Sequence, residues 1–269
     1  MGKIFVLTLS WNGLGMLKQL KPMLETNLNK TGCDWCWHIR SNGCTDGTQN
    51  EVISWHNIDL MSVNHNRDNF SVGVNSLFGQ ANPNDDDLVL LLNNDVKFKN
   101  ETSISDMVSL MDKTGAAVVG ARLMFPDSGN RITHAGVVFD TTKGNMPWHH
   151  RVNERLQPRD CVNRKFQAVT GACLLTTAKA FRSVNGLDRN LIWSFDDIDY
   201  CLKLSIDQKQ TIAYCGTTEI EHGTSVSLNK NPVHKLFMQH NVDYFKKKWF
   251  GKYEIDYLKY QNNSNYNEI

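Results

Sequence analysis

The chain has 269 residues with 29 Lys and Arg against 28 Asp and Glu, and its net charge of +1 argues against a global attraction to nucleic acid or an anionic membrane. Hydrophobic residues make up 41% of the chain and charged residues 21%, which is typical of a soluble globular protein with a full core. No apolar run in this sequence is long enough for a transmembrane helix. The N-terminal apolar segment has no small-residue cleavage site, so we expect a first strand there rather than a signal peptide.

The first half of the chain alternates short apolar runs with amphipathic segments. Leu14–Leu28 has the leucine spacing of a helix. The predicted strands are Ile4–Leu9, Trp35–Ile39, Ile58–Val63 and Leu88–Leu92. The last of these is five consecutive apolar residues, which predicts a strand buried on both faces. This order predicts an α/β fold with a doubly wound, mostly parallel sheet, right-handed crossovers and helices on both faces.

The second half has a less regular pattern. Its predicted strands are Ala116–Ala121, Ala135–Phe139, Ala168–Thr176 and Gln210–Tyr214. Its predicted helices are Thr177–Val184, Asp196–Ile206 and His234–Trp249, and the tail Asn262–Ile269 is expected to fray. Because no linker or repeat divides the chain, we predict one domain over 1–269. Residues 1–96 would form its nucleotide-binding half, 97–233 its acceptor and catalytic half, and 234–269 a basic helix and tail.

Two patterns could indicate zinc, but neither has the spacing of a zinc site. Cys33 and Cys36 form a single C-x-x-C pair with no second pair at finger-like spacing, and His149 and His150 lack further ligands at a suitable distance. The seven cysteines are therefore expected to be free thiols in a reducing cytoplasm.

Polar residues follow the predicted strands at the edge where open α/β sheets bind ligands. Asp95 ends the run Leu88–Val96, and one carboxylate together with a diphosphate can hold Mg²⁺ or Mn²⁺. The loop Ser41–Thr48 and the segment Asn69–Asn75 contain glycines, and Gly73 would allow a ligand to approach a helix start. Plain strand-to-helix turns are the alternative interpretation of both segments.

Three carboxylates stand close together in the segment 196–199 and repel one another unless a cation, a helix N-terminus or a basic group compensates. In a helix, successive residues point about 100° apart. We expect Asp196 to cap the helix and Asp199 to face the sheet or pair with a basic residue. Asp197 would then point into a pocket beside Trp193 and Phe195, where partial desolvation raises a carboxyl pKa towards the range of a general base.

Two histidines lie in loops and could be structural or functional. His222 follows a predicted strand and precedes a glycine. His134 belongs to a segment that, together with Trp148–Arg151, suggests an ordered loop over a pocket.

Ten short segments, in this order, resemble the family 2 glycosyltransferases with the GT-A fold, and more narrowly those that build rhamnose- or hexose-containing surface polysaccharides. They are LSWNG, SNGCTDGT, NFSVGVN, LLLNNDV, PDSGNRITHAGVVF, VTGACLL, FRSVNGLD, WSFDDIDYCLKL, EHGTS and YFKKKW. Each segment is weakly specific, whereas the complete order is strong evidence for the resemblance.

The resemblance implies a GT-A fold and, together with the strand order, a set of nucleotide-binding residues. The family's usual carboxylate after the second strand falls on Ser41, a departure for which Asn42 or Asp46 would compensate. The full set is Leu9, Ser10, Trp11, Ser41, Asn42, Asp46, Asn69, Gly73, Asn75, Asn93 and Asn94.

The resemblance also implies the metal and catalytic residues. Asp95 is the last carboxylate of the family's metal triplet, and His222 matches a C-terminal histidine that often completes an Mn²⁺ or Mg²⁺ site. Asp196 and Asp197 match the acidic pair, with Asp197 as the catalytic base. The residues assigned to the acceptor or donor sugar are Gly171, Ala172, Trp193 and His134.

The implied activity is inverting transfer of a sugar from a UDP- or dTDP-linked donor to a hydroxyl of a glycan or lipid-linked acceptor. A cytoplasmic enzyme is expected, with membrane contact through the basic helix at Lys246–Lys248 as an option. The alternatives are a sugar-nucleotide or glycan-binding module without turnover, a viral enzyme that glycosylates modified nucleic acid, a hydrolase and a metal-dependent nuclease. Near-neutral charge and the glycine-containing loops argue against the nuclease.

Overall fold

A ten-stranded sheet forms the centre of the described part of the chain. This computed structural model describes residues 2–56, 58–192, 194–223 and 233–269. At 59–62 and 233–236 it describes the backbone alone. Its first strands are β1 (Ile4–Ser10), β2 (Trp35–Asn42), β3 (Ile58–Asn64) and β4 (Leu88–Leu92). They are parallel, in the order β3-β2-β1-β4. All five residues of β4 are buried, which confirms the prediction from its apolar run.

The second part of the chain extends this sheet on the other side of β4. It supplies β5 (Val96–Phe98), β6 (Val118–Met124), β7 (Ile132–His134), β10 (Arg164–Phe166), β11 (Cys173–Thr177) and β12 (Ile212–His222). The full order is β10-β12-β6-β11-β4-β1-β2-β3, with β5 on β12 and β7 on β6. β11 is antiparallel to both its neighbours, whereas β12 is parallel to β6. A separate hairpin pairs β8 (Val137–Asp140) with β9 (Met146–His149).

Helices cover both faces of the sheet, as predicted. The helices are α1 (Leu14–Asn29), α2 (Thr48–Val52), α3 (Phe70–Ala81), α4 (Ser103–Thr114), α5 (Ala178–Ser183), α6 (Asp196–Leu202), α7 (Val233–Trp249) and α8 (Tyr257–Asn262). Helices α1 and α4 bury their apolar stripes in one core, and α3, α5 and α6 pack into a second core on the opposite face. No helix in these described ranges is long and apolar enough to cross a bilayer.

Two predicted strands are placed differently. The predicted strand Ala135–Phe139 is interrupted at Gly136, whose positive φ of 96° separates β7 from β8. The predicted strand Ala168–Thr176 begins only at Cys173, because the N–H groups of Thr170 and Gly171 donate to side chains instead of to a neighbouring strand.

The prediction that the tail frays is wrong. The carbonyl of Asn267 accepts a hydrogen bond from Lys165 N–H at 2.8 Å, and Ile269 N–H donates to the carbonyl of Asn163 at 3.0 Å. The last residues therefore pair along the open edge of β10. The seven cysteines form no disulfide, as predicted.

A buried ion pair joins α6 to α7. The Asp199 side chain is fully buried, and its Oδ1 lies 2.6 Å from Lys248 Nζ and accepts a hydrogen bond from Trp249 Nε1 at 2.7 Å. Lys203 Nζ lies 3.4 Å from Oδ2. The structure thus confirms that Asp199 faces inward and pairs with basic residues.

Replacing Asp199 with Ala should lower the free energy of unfolding by about 3 kcal/mol, because Lys203 then loses its buried counter-charge and Lys248 keeps only Asp188, at 2.8 Å. Urea denaturation of the variant measures this loss. The control is Asp207→Asn, a change at an exposed carboxylate five residues past the end of α6. Equal urea midpoints for Asp199→Ala and Asp207→Asn would contradict the predicted loss of stability.

Candidate active site

A cavity of about 550 Å³ opens where the carboxyl ends of β1 and β4 meet the start of α6 and the end of β12. Its lining brings together predicted residues from distant parts of the chain. They are Leu9, Ser10, Trp11, Asn42, Asn93, Asn94, Asp95, His134, Gly171, Ala172, Asp196, Asp197 and His222. The cavity is the only described place where predicted nucleotide, metal and catalytic residues meet.

Five predicted nucleotide-binding residues lie outside the cavity lining and make contacts within the fold. Asp46 accepts a hydrogen bond from Leu14 N–H at 2.9 Å at the start of α1. Gly73 packs against β1, since a Cβ there would come within 2.2 Å of the Leu9 side chain. The other three are Ser41, which is fully buried, Asn69, which caps α3, and Asn75, which bonds the backbone of Leu187. Trp193 lies outside the described residues.

Asp95 and His222 lie side by side at one end of the cavity. β5 pairs antiparallel with β12 and aligns Val96 with His222, which brings the histidine next to the residue before β5. His222 Nε2 is 3.3 Å from Asp95 Oδ1 and 3.4 Å from Asn93 Nδ2. Carboxylate oxygen suits Mn²⁺ and Mg²⁺, and imidazole nitrogen is a common metal ligand, so this pair would hold a divalent cation. No larger group of His, Cys, Asp and Glu suited to a metal exists among the described residues, which leaves other coordination positions to a ligand.

Asp197 lines the same cavity and is fixed there by two backbone hydrogen bonds. Gly171 N–H donates to its Oδ2 and Ile198 N–H to its Oδ1, both at 2.8 Å. Residue 171 is tightly packed here, since an added Cβ would lie 3.1 Å from the Asp197 Cβ. The carboxylate is therefore held in one orientation while the residue stays partly exposed.

Asp196 is the more deeply buried member of the acidic pair, at 6% exposure. Burial, together with the nearby carboxylates of Asp197 and Asp199, raises the pKa of Asp196 to about 8. We expected desolvation to act on Asp197; the structure places the stronger burial one residue earlier, because the first turn of α6 directs Asp196 towards Ser71.

Stability should fall as pH rises between about 4 and 8, because the folded protein keeps a proton on Asp196 that the unfolded chain releases near its ordinary pKa. Asp196→Asn removes the titrating carboxyl group and, with it, this contribution to the pH dependence of stability. The melting temperature of the variant relative to the wild type should therefore increase across that pH range. A difference that stays constant with pH would contradict the assignment.

Several residues of the cavity lining were not predicted as site residues from the sequence. Arg67 stacks its guanidinium 3.7 Å from the centroid of the Trp11 ring, and burial lowers its pKa. Because Arg67 lies in a polar loop, its sequence context does not distinguish it from an ordinary surface residue. His149 and Trp148 were noted as part of a loop over a pocket, and the structure places both in the cavity wall. The run Trp148–His150 is the sequence signal for this part of the wall.

Comparison with known proteins gives two curated relatives. The uncharacterized protein y4gI of Sinorhizobium fredii is 32% identical over 174 residues, covering 61% of this chain and 18% of that protein. The O-antigen biosynthesis protein RfbC of Myxococcus xanthus is 26% identical over 140 residues, covering 51% of this chain and 11% of that protein. The chain thus spans less than a fifth of the length of these relatives. No protein-family model matches it.

Three solved structures that share this fold are glycosyltransferases. TarS residues 1–349 of S. aureus superposes with a TM-score of 0.54 at 13% identity, covering 85% of this chain and 62% of that one. The Pyrobaculum calidifontis mannosyltransferase PcManGT, in complex with GDP-Man and Mn²⁺, gives 0.56 at 10% identity over 78% and 54% of the two chains. GalNAc-T7 with UDP, GalNAc and Mn²⁺ gives 0.59 at 10% identity over 98% and 55%. The predicted GT-A fold, and the resemblance to glycosyltransferases at the level of the fold, are confirmed.

Proposed function

We propose that this chain is a divalent-metal-dependent, inverting glycosyltransferase that moves a sugar from a nucleoside-diphosphate donor to an acceptor hydroxyl. The observation that carries the proposal is the composition of the cavity at the carboxyl ends of β1 and β4. It holds a candidate cation pair, Asp95 and His222, and a carboxylate fixed by backbone hydrogen bonds, Asp197. Sugar transfer needs both groups around one substrate.

Each part of the cavity has a role in this proposal. Residues 9–11, Asn42 and Arg67 would bind the nucleotide, so that the half up to residue 96 carries the donor. A bound cation would neutralise the charge that develops on the diphosphate. Asp197 takes the proton of the acceptor hydroxyl as its oxygen attacks the anomeric carbon from the face opposite the leaving group. No covalent enzyme nucleophile is needed, because one displacement inverts the configuration.

The donor and acceptor classes follow from the resemblance and the comparisons. We propose a UDP- or dTDP-hexose or deoxyhexose as donor. Two of the similar solved structures are complexes with GDP-Man and with UDP, so GDP-sugars belong in the test. RfbC is named for O-antigen biosynthesis, which supports a glycan or lipid-linked acceptor. A cytoplasmic location, with membrane contact through Lys246–Lys248, stays a prediction.

A panel of UDP-, dTDP- and GDP-sugars with Mn²⁺ tests the proposal, with release of the nucleoside diphosphate as the readout. At least one donor should release its nucleoside diphosphate slowly, by hydrolysis. The release should be faster, through sugar transfer, when an acceptor glycan is added. Thermal protection by a nucleotide sugar without nucleotide release, whatever acceptor is added, would favour a binding module. No protection and no release across the panel would contradict nucleotide-sugar binding altogether.

A further inference from the structure

Two histidines from separate elements meet in the cavity wall. His134 ends β7, and His149 ends β9, where it lies in register with Val137 of β8. Their rings meet edge to face with centroids 4.9 Å apart, and their Nδ1 atoms are 2.8 Å apart. His134 is fully buried, whereas His149 is partly exposed to the cavity. The contact is a hydrogen bond between two imidazoles, so one ring donates and the other accepts.

The backbone decides which ring donates. Thr170 N–H donates to His134 Nε2 at 3.3 Å, so this nitrogen must carry a lone pair. A neutral imidazole has one N–H, which on His134 is then at Nδ1 and donates to His149 Nδ1. His149 must in turn carry its own proton on Nε2. Protonation of either ring would break a hydrogen bond or set two N–H groups against each other.

The surroundings keep both rings neutral. Burial, reinforced by neighbouring histidines, lowers the pKa of His134 well below its ordinary value. Burial also lowers the pKa of His149, with Asp197 acting in the opposite direction and His222 in the same direction. His149 therefore lies within electrostatic reach of both the candidate base and the candidate metal pair. No hydrogen-bond partner for its Nε2–H exists among the residues that the structure describes.

We propose that the Nε2–H of His149 donates a hydrogen bond to a hydroxyl of the transferred sugar, an assignment that rests on the proposed glycosyl transfer. The transferred sugar links the diphosphate at the metal pair to the oxygen attacking beside Asp197, and His149 lines the same cavity within electrostatic reach of both Asp197 and His222. A neutral N–H donor suits an uncharged hydroxyl. Because its accessible nitrogen carries a proton, His149 cannot act as the base. His134 is a positioning residue that fixes the tautomer of His149.

The tautomers can be measured without any substrate. In protein with ¹⁵N-labelled histidine rings, long-range ¹H–¹⁵N spectra at neutral pH should show a neutral Nε2–H ring that disappears in His149→Gln. They should also show a neutral Nδ1–H ring, that of His134, whose signals shift in the same variant. A proton on Nδ1 of His149, or a cationic His149 ring, would overturn the proposal.

The role of His149 in sugar binding is tested by measuring the affinity for two ligands in the presence of Mn²⁺. One is a nucleotide sugar identified in the panel, and the other is the matching nucleoside diphosphate. His149→Phe should weaken binding of the nucleotide sugar about tenfold, the loss expected for one hydrogen bond, and leave binding of the diphosphate unchanged. His149→Gln, which keeps an N–H near the position of Nε2, should recover most of the loss. His150→Phe is the matched control, because that neighbouring ring packs against Phe166 and Tyr260 outside the cavity.

Equal affinities of wild type and His149→Phe for the nucleotide sugar would overturn the assignment while leaving the proposed function intact. Equal weakening for both ligands would show a general disturbance of the site and would also overturn it. If the wild type binds neither ligand, the proposed function fails, and the sugar contact fails with it.

Discussion

Replacing Asp197 with Asn should lower turnover by about 10²–10⁴-fold, the usual contribution of a general base, while the affinity for the nucleotide sugar stays nearly unchanged. Asn has the shape of Asp, and its side-chain oxygen can still accept the backbone hydrogen bond that Gly171 N–H donates. The variant cannot take the acceptor proton, and it also loses one of the two backbone hydrogen bonds, the one that Ile198 N–H donates to Oδ1. Steady-state kinetics on the acceptor, with calorimetry for donor binding, separates the two effects.

The control is Asp207→Asn, the same chemical change at an exposed position outside the cavity. It should behave like the wild type in both measurements. Near wild-type turnover of Asp197→Asn would show that another group is the base. A parallel loss of donor affinity would mean that Asp197 binds the donor instead.

Removal of the divalent cation with EDTA should abolish transfer, and re-addition of Mn²⁺ should restore it. Asp95→Asn should weaken Mn²⁺-dependent nucleotide binding by at least about 10–100-fold, since loss of even an outer partner of a metal ligand has an effect of that size. The physical reason is that the Asp95 carboxylate lies 3.3 Å from His222 and supplies the negative charge of the pair.

Asp86→Asn is the matched control for Asp95, because it makes the same substitution just before the opposite end of β4, at an exposed residue. Its Mn²⁺ dependence should match that of the wild type. Full transfer in EDTA, or an unchanged Mn²⁺ requirement in Asp95→Asn, would refute the metal assignment and point to a site in which Arg67 alone balances the diphosphate charge.

The sequence by itself determined the elements whose signal is local. The run Leu88–Leu92 could only be a strand buried on both faces, and the leucine spacing in α1 could only bury one helical face. The alternation of these elements then determined a parallel, doubly wound sheet, and the carboxyl end of β4 determined where a ligand-binding carboxylate would lie. For these reasons the sequence places Asp95 at the ligand-binding edge, while the helix start at Asp196 and the resemblance to the family place Asp197 in the pocket; both residues line the cavity.

Only the tertiary structure decided which side chains meet. The pairing of β5 with β12 sets His222 beside Asp95, and the hairpin of β8 and β9 sets His149 against His134. The same packing buried Asp196 more deeply than Asp197. Local periodicity shows which face of an element is buried but not against which partner, because strand pairing and register depend on burial and hydrogen bonds between residues far apart in the chain.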